Sequence, residues 1–480
     1  MSRGRRLHCF FREMVGELSR DFRVVVLATD DEIASFSTLP GVDVRRYESL
    51  DLAPDPTRLR RNIPDLRKTA AEIETRTGLP VYKAASNYIL YGQFVRAHGG
   101  KWEYLRTDEE ILEAYAGAYA QLSSLFVEIE PSVVFYETVD RISTYLALAL
   151  AVKHGVFAFG FKFASLTQGL MNLLFGLHRK NVTLEHLYMH RDLIRPESYS
   201  LAEQFIRNYT RRPDASAYAA IHRRMTYGKS PFNGRRLLGA VTQVDQLGKY
   251  VKNLYWYGRI AANRAWLRRH LTTEIPHGKY IVYSLQHSPE ASTYSQVPRW
   301  ARQEVVVEQL AINAPSGVRI VVKEHPRTYG MRGREFFEPL LQIPNVVLCH
   351  PLTDNRSLLS GAEAIVALTG SVGLEGITLG KKVGVLGRPY YSCYAGVKLL
   401  DHPEDIYPAL ACESWNPGQM ADEQRHFVAA YLQSCYEFGH GSGPNLWPSS
   451  GGEKWAHALR ETMSFIETHK LKPYDFDAGL

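Results

Sequence analysis

Two short stretches of this chain carry side chains suited to gripping an oxyanion, KEHP from Lys323 to Pro326 and TGSVGLEG from Thr369 to Gly376. In the first, Lys323 brings a positive charge. His325 brings an imidazole that donates a hydrogen bond to a phosphate oxygen and, when protonated, assists departure of a leaving group. Pro326 stiffens the loop that presents it. In the second, Thr369 and Ser371 offer hydroxyls, and Gly370 and Gly373 let backbone approach an anion at the start of a helix. Free N–H groups and the helix dipole favour negative charge there. A plainer reading stands beside this one: an ordinary strand exit at His325-Pro326, and glycines that permit tight packing.

Each stretch follows an apolar, β-branched run, residues 318–322 (VRIVV) and 364–368 (AIVAL). The spacing predicts strands at Lys279–Ser284 and from Val318, Val346, Ala364 and Val383, with a helix over Gln303–Asn313. Such alternation calls for a parallel sheet with right-handed crossovers, whose carboxyl edge is the ligand-binding edge.

The first half shows the same alternation. Phe22–Leu27, Val42–Tyr47, Ser132–Tyr136 and Val156–Gly160 read as strands, Leu66–Glu128 as a long helical region and Arg141–His154 as a helix. Glu137 directly follows the third strand, with Asp140 and Arg141 at the next helix start. A carboxylate there suits a general base or a nucleophile, while Asp140 reads equally well as a helix cap. The chain opens with a basic segment and an amphipathic helix, unless Arg6–Phe10 is a shortened strand. After Trp415, helices are expected over Asp422–Phe438 and Lys454–His469, separated by the breaker loop Gly439–Pro444.

At 480 residues the chain exceeds one ordinary core. Its 45% hydrophobic and 22% charged residues are those of a soluble globular protein. A net charge of +7 suits anionic substrates or a membrane surface and is too small to argue for nucleic acid. The five cysteines are scattered without CxxC spacing, which points to a reducing cytoplasm and to no zinc or redox site. No signal peptide is read at the start. The apolar region Tyr145–Leu177 is broken by Lys153, His154, Lys162 and Gln168, so it reads as buried core rather than a bilayer span. Between the halves, Arg223–Arg269 is rich in Arg, Lys and Tyr. It reads either as a solvated linker helix or as a surface for anionic headgroups at the inner face of the cytoplasmic membrane.

The run SLQHSPEAS from Ser284, then KEHP, then the segment from His350 to Tyr391, resembles the bacterial capsule polysaccharide biosynthesis proteins and their Kdo transferase relatives. The resemblance covers about residues 280–391. It implies a GT-B fold: α/β, two Rossmann-like doubly wound domains facing a cleft, with C-terminal helices crossing back. The expected divisions are an acceptor-binding domain over 1–240, a basic and aromatic linker over 241–278, a nucleotide-sugar domain over 279–415 and returning helices over 416–480.

On matching positions the resemblance places His325, Thr369 and Ser371 on the nucleotide phosphate with Lys323 neutralising charge nearby, and Glu375 on the ribose hydroxyls. The plainer role for Glu375 is a dipole-stabilised acid in a first helical turn. The segment from Gln286 to Glu290 is expected to face the cleft as part of the donor site, with His287 and Glu290 contacting the donor sugar or its carboxylate, and Pro351 is expected to fix the loop over the base. The implied activity is metal-independent transfer of a sugar, Kdo or a related acidic sugar, from a donor of CMP type to a glycan or glycolipid. The donor is a substrate, and no further cofactor or metal is expected. Glu137, Glu290 and His325 are the candidate catalytic residues. Two alternatives remain open: a nucleotide-sugar epimerase or hydrolase on the same scaffold, and a non-catalytic capsule-assembly protein.

Overall fold

A computed structural model describes residues 4–47, 65–98, 107–164, 166, 169–211, 244–411, 420–438, 451–476 and 478–480. The breaker loop Gly439–Pro444, Gln168, Cys412 and the 223–243 part of the basic segment lie outside the described residues.

The chain is α/β throughout and divides into two compact units. The first comprises Met1–Ile89, Tyr104–Tyr199 and Ala429–Leu480; the second comprises Leu90–Glu103 and Ser200–Val428.

In the first unit, strands β1 (Val24–Ala28) and β2 (Val42–Arg46) pair in parallel, joined by the helix Asp30–Phe36. A separate sheet holds β3 (Val133–Phe135) parallel to β4 (Phe157–Phe163), with the helix Ile142–Lys153 crossing between them. The crossing helix buries Ile142, Tyr145, Leu146, Leu148 and Ala149, because its apolar residues run around most of its circumference. β5 (Leu170–Phe175) then returns antiparallel to β4. The apolar stretch read as buried core thus contributes a helix and two strands.

The opening residues 4–18 form one helix, so Arg6–Phe10 is helical and not a shortened strand. Its partner is the returning helix Gly452–Thr468, whose Trp455 is fully buried at 4.3 Å from Phe161 and 5.4 Å from Phe438. Glu13 seals the contact by accepting the N–H groups of Gly451 and Gly452 at 2.9 and 3.0 Å. The helix expected over Asp422–Phe438 ends earlier, spanning Ala421–Gln433. Beyond it a short strand, Tyr436–Glu437, adds to β5, and Phe438 N–H donates to the Gly169 carbonyl at 2.6 Å. Sheet pairing outcompetes helix continuation there because an unpaired β5 edge offers the donors and acceptors. His186, His190 and His469 cluster in this unit, with ring centroids 4.2 and 4.7 Å from that of His186.

The second unit holds a six-stranded, wholly parallel sheet. In chain order its strands are β6 (Tyr280–Ser284), β7 (Arg319–Lys323), β8 (Val346–Cys349), β9 (Ala364–Ala367), β10 (Lys382–Val385) and β11 (Val397–Leu399). They lie side by side as β8-β7-β6-β9-β10-β11. Every strand that the apolar runs predict is present. β6, β7 and β9 are buried on both faces, as parallel strands covered by helices must be. The Arg- and Tyr-rich segment contributes the helix Val244–Leu267, which packs on this unit. Asn263 Nδ2 and Arg264 Nε donate to the carbonyls of Gly330 and Tyr329 at 3.0 and 2.9 Å. Gly330 sits at φ +85°, where a side chain would also strike Ile260, so glycine is required at this contact.

Candidate active site

The strand order of the second unit fixes where a ligand site belongs. From β6 the chain builds outward to β8, then crosses to the other side of β6 and continues through β11. The loops after β6 and β9 therefore diverge from adjacent strands, leaving a crevice at the carboxyl edge. Gln286 leaves β6 at this point, and Thr369 and Gly370 leave β9.

The buried Gln286 side chain bridges the two loops. In the orientation that satisfies both ends of the amide, its carbonyl oxygen accepts the N–H groups of Thr369, at 2.7 Å, and of Gly370, while its nitrogen donates to Thr369 Oγ1 at 3.2 Å. A protein side chain thus occupies the first two N–H groups of the glycine loop. The next two, on Ser371 and Val372 at the helix start, meet no acceptor among the described residues. At Gly373 a side chain would strike the ring and hydroxyl of buried Tyr391, which donates to the Gly370 carbonyl at 2.5 Å. The absence of a side chain at this glycine admits the Tyr391 ring.

The loop after β7 is anchored from below. Glu324 and Arg332 are 1% and 2% exposed in their side chains and pair at 2.6 Å. Glu324 Oε1 also accepts the His325 N–H at 2.7 Å and the Thr328 hydroxyl at 2.8 Å. Arg332 Nη2 reaches the Gln286 carbonyl at 2.5 Å, and Gln303 accepts the Gln286 N–H at 2.7 Å. The loops after β6 and β7 are therefore held by one buried polar network. The chemical signal for it was present in the sequence, an acid between Lys323 and His325, yet Arg332 and Gln303 are recognisable only once the chain is folded.

His325 Nδ1 accepts the Arg327 N–H at 3.2 Å, which leaves the proton on Nε2 and makes that atom a donor. The His287 ring meets that of His325 edge to face at 5.6 Å. Burial holds the His287 pKa below its ordinary value, against the opposing pull of Glu290, while Arg327 and Arg332 push it further down. Glu290 itself is exposed, its Oε2 accepting from Ser292 Oγ at 2.8 Å. Pro351 is buried in the turn after β8, beside His350, whose Nδ1 accepts the Leu352 N–H at 3.1 Å.

Lys323, 6% exposed at the end of β7, donates to Asn355 Oδ1 at 2.9 Å. Asn355 passes the contact to Glu375 Oε2 at 2.7 Å, and Tyr209 donates to the same oxygen at 3.1 Å. Glu375 thus faces Asn355 and Tyr209 in the first turn of the helix Val372–Thr378. Arg356 lies over the Tyr209 ring at 4.2 Å. Tyr209 and Arg356 carry no motif that would mark them from the sequence.

Glu137 belongs to the first unit, half-buried just after β3. Asp140 does not cap the next helix. Arg141 holds the N-cap position, and Thr144 Oγ1 accepts the N–H groups of Asp140 and Arg141, each at 3.1 Å. Among the described residues no helix is long and apolar enough to cross a membrane, and no three His, Cys, Asp or Glu side chains converge as a metal site would need.

Residues 194–435 match the family model for capsule polysaccharide biosynthesis protein, just over half of the chain. The sequence matches no curated protein. Solved structures similar to it include the KpsC β-Kdo 2,4 transferase of Thermosulfurimonas dismutans, 14% identical over 66% of this chain and 88% of that one, TM-score 0.35. The β-Kdo 2,7 transferase of the same KpsC is 12% identical over 75% and 91%, TM-score 0.36. The UDP-GlcNAc 2-epimerase of Neisseria meningitidis is 13% identical over 92% and 99%, TM-score 0.27. All three scores lie below 0.5, too low to carry a residue role or a ligand from those proteins to this chain.

Proposed function

This chain belongs to the capsule polysaccharide biosynthesis protein family, and on that premise we propose that it is a glycosyltransferase whose second unit binds a nucleotide-activated sugar. The observation that carries the reading is the meeting of the KEHP and TGS loops with Gln286 at the switch point of a parallel sheet. Donors there are preorganised: Nε2–H of His325, the Lys323 ammonium, and the N–H groups of Ser371 and Val372.

In this reading the leaving nucleotide phosphate sits against those donors. Thr369 serves the same loop, its hydroxyl held 3.3 Å from the Ser292 carbonyl. Glu375 takes the ribose diol, a role suited to a carboxylate acceptor. Gln286 braces the glycine loop of the donor site, His287 and Glu290 face the sugar, and Pro351 stiffens the loop over the base. The proposed donor is a CMP-sugar carrying Kdo or a related acidic sugar, and the proposed acceptor is a surface glycan or glycolipid. The acceptor hydroxyl attacks the anomeric carbon, the bond from that carbon to the phosphate oxygen breaks with its electrons leaving on the nucleotide, and the hydroxyl proton passes to Glu137. The basic side chains carry the departing charge without a metal.

Calorimetry with CMP, UDP, GDP and ADP tests the donor site. Selective CMP binding, weakened about tenfold or more in His325→Ala, supports it. Equal affinity in that variant removes His325 from the phosphate, and absence of nucleotide binding removes the donor reading. Glu137→Gln is expected to retain CMP binding and to lose transfer by about a hundredfold or more. Full transfer in that variant excludes Glu137 as the proton acceptor.

A further inference from the structure

Arg327 is exposed in the loop after β7, two residues beyond His325, and its guanidinium makes no hydrogen bond or ion pair among the described residues. Other arginines of this unit are taken: Arg332 by Glu324, Thr328 and Gln286, Arg302 by Glu304, and Arg334 by Glu338. The backbone beneath Arg327 is held on both sides. Its own N–H donates to His325 Nδ1 at 3.2 Å. Thr328, fully buried, donates its N–H to the His325 carbonyl at 3.0 Å and its hydroxyl to Glu324 Oε1 at 2.8 Å. A fixed backbone thus carries a long cationic side chain that finds no partner in the protein.

The direction of that side chain shows in its effect on a neighbour. Burial lowers the pKa of His287 on the β6 loop, Glu290 draws it back up, and Arg327 pushes it down, so two opposite charges act on one ring. That ring meets the ring of His325 at 5.6 Å. The Arg327 charge is therefore turned toward the β6 loop, beside the imidazole assigned to the phosphate.

A guanidinium fork matches the two oxygens of a carboxylate. In a nucleotide-activated 2-ulosonic acid, the carboxylate and the phosphate oxygen both hang from the anomeric carbon, whereas the carboxylate of a uronic acid lies across the ring. Groups that bind the first pair must be neighbours in the protein, as His325 and Arg327 are.

We propose that Arg327 is a specificity-determining residue for an acidic sugar, its guanidinium pairing with a carboxylate on the anomeric carbon of the donor while His325 holds the phosphate. The assignment rests on the donor reading above and adds to it a group that contacts the sugar and not the nucleotide. Glu290, of opposite charge, is left for hydroxyls, so different parts of the sugar meet different partners.

The test is calorimetry on the full chain with CMP and with CMP-Kdo, comparing the native protein with Arg327→Gln and Arg327→Lys, and thermal melting of each. Both variants keep the backbone N–H that His325 accepts. The native protein is expected to bind CMP-Kdo more tightly than CMP. Arg327→Gln is expected to lose about tenfold or more in CMP-Kdo affinity with CMP affinity unchanged, and Arg327→Lys to lose less, since it keeps the charge without the fork. Melting temperatures are expected to stay constant, as for an exposed and unpaired side chain. Equal losses for CMP and CMP-Kdo place Arg327 on the phosphate and overturn the assignment. CMP-Kdo bound equally by native protein and Arg327→Gln, or no better than CMP by the native protein, also overturns it and leaves the nucleotide reading standing. A CMP-Kdo loss accompanied by a melting temperature lowered by several degrees makes Arg327 structural. Absence of CMP binding by the native protein overturns the donor reading and the assignment together.

Discussion

At the scale of single residues, the histidines divide by what holds them. His325 and His350 each use Nδ1 to accept a backbone N–H, so each presents Nε2 as a donor. Burial lowers the pKa values of His186, His287 and His350. For His186 the neighbouring His190 and His469 add to the effect, and for His350 Arg268 and Lys323 do. In each case the unfolded chain, titrating near about 6.5, binds more protons than the folded one just below that pH. The stability that neutral histidines contribute is therefore fully present above about pH 6.5 and is lost as the pH falls below it. Melting temperatures taken from pH 7.5 down to 5.5 should decline, and a flat or rising profile would count against these buried neutral rings. None of this was legible in the sequence, where a histidine carries its identity but not its burial. His325 was recognisable because proline follows it at a strand exit; His186 had no such flag.

At the scale of elements, what joins the loops matters more than the loops themselves. The Glu324–Arg332 pair ties the β6 and β7 loops from underneath, and its burial makes it unforgiving. Arg332→Met leaves Glu324 charged and buried, with a cost of about 3–5 kcal/mol in the stability of the second unit. Adding Glu324→Met should recover much of that loss, because the uncompensated charge is gone. Denaturant titration of the single and double variants measures both, and a single variant as stable as the native protein would mean that the pair holds nothing. The strands of this unit were legible because apolar β-branched runs of four or five residues have few other uses. Gln286 was singled out for the donor site from its place after the first strand, but nothing in the spacing shows that its amide reaches the N–H groups of Thr369 and Gly370. Sequence spacing gives the neighbours along a strand; it does not give the side chain that reaches across from the strand beside it.

At the scale of the whole molecule, the α/β class, the wholly parallel sheet of the second unit and the return of the last helices to the first unit were all readable from the alternation of patterns. The strand Tyr436–Glu437 was not, because a two-residue strand at the end of a helix has no periodicity of its own and exists only where β5 offers an edge. The first unit is built from three separated stretches of chain, the last beginning at Ala429. Trp455 fills its core beside Phe161, and the Ala478 carbonyl accepts the Leu177 N–H at 2.7 Å. A ribosome making this protein therefore delivers the whole second unit before the first can close. Until then, the apolar faces of β3, β4 and the opening helix wait uncovered, and the order of synthesis is the reverse of the order in which the two units can be completed.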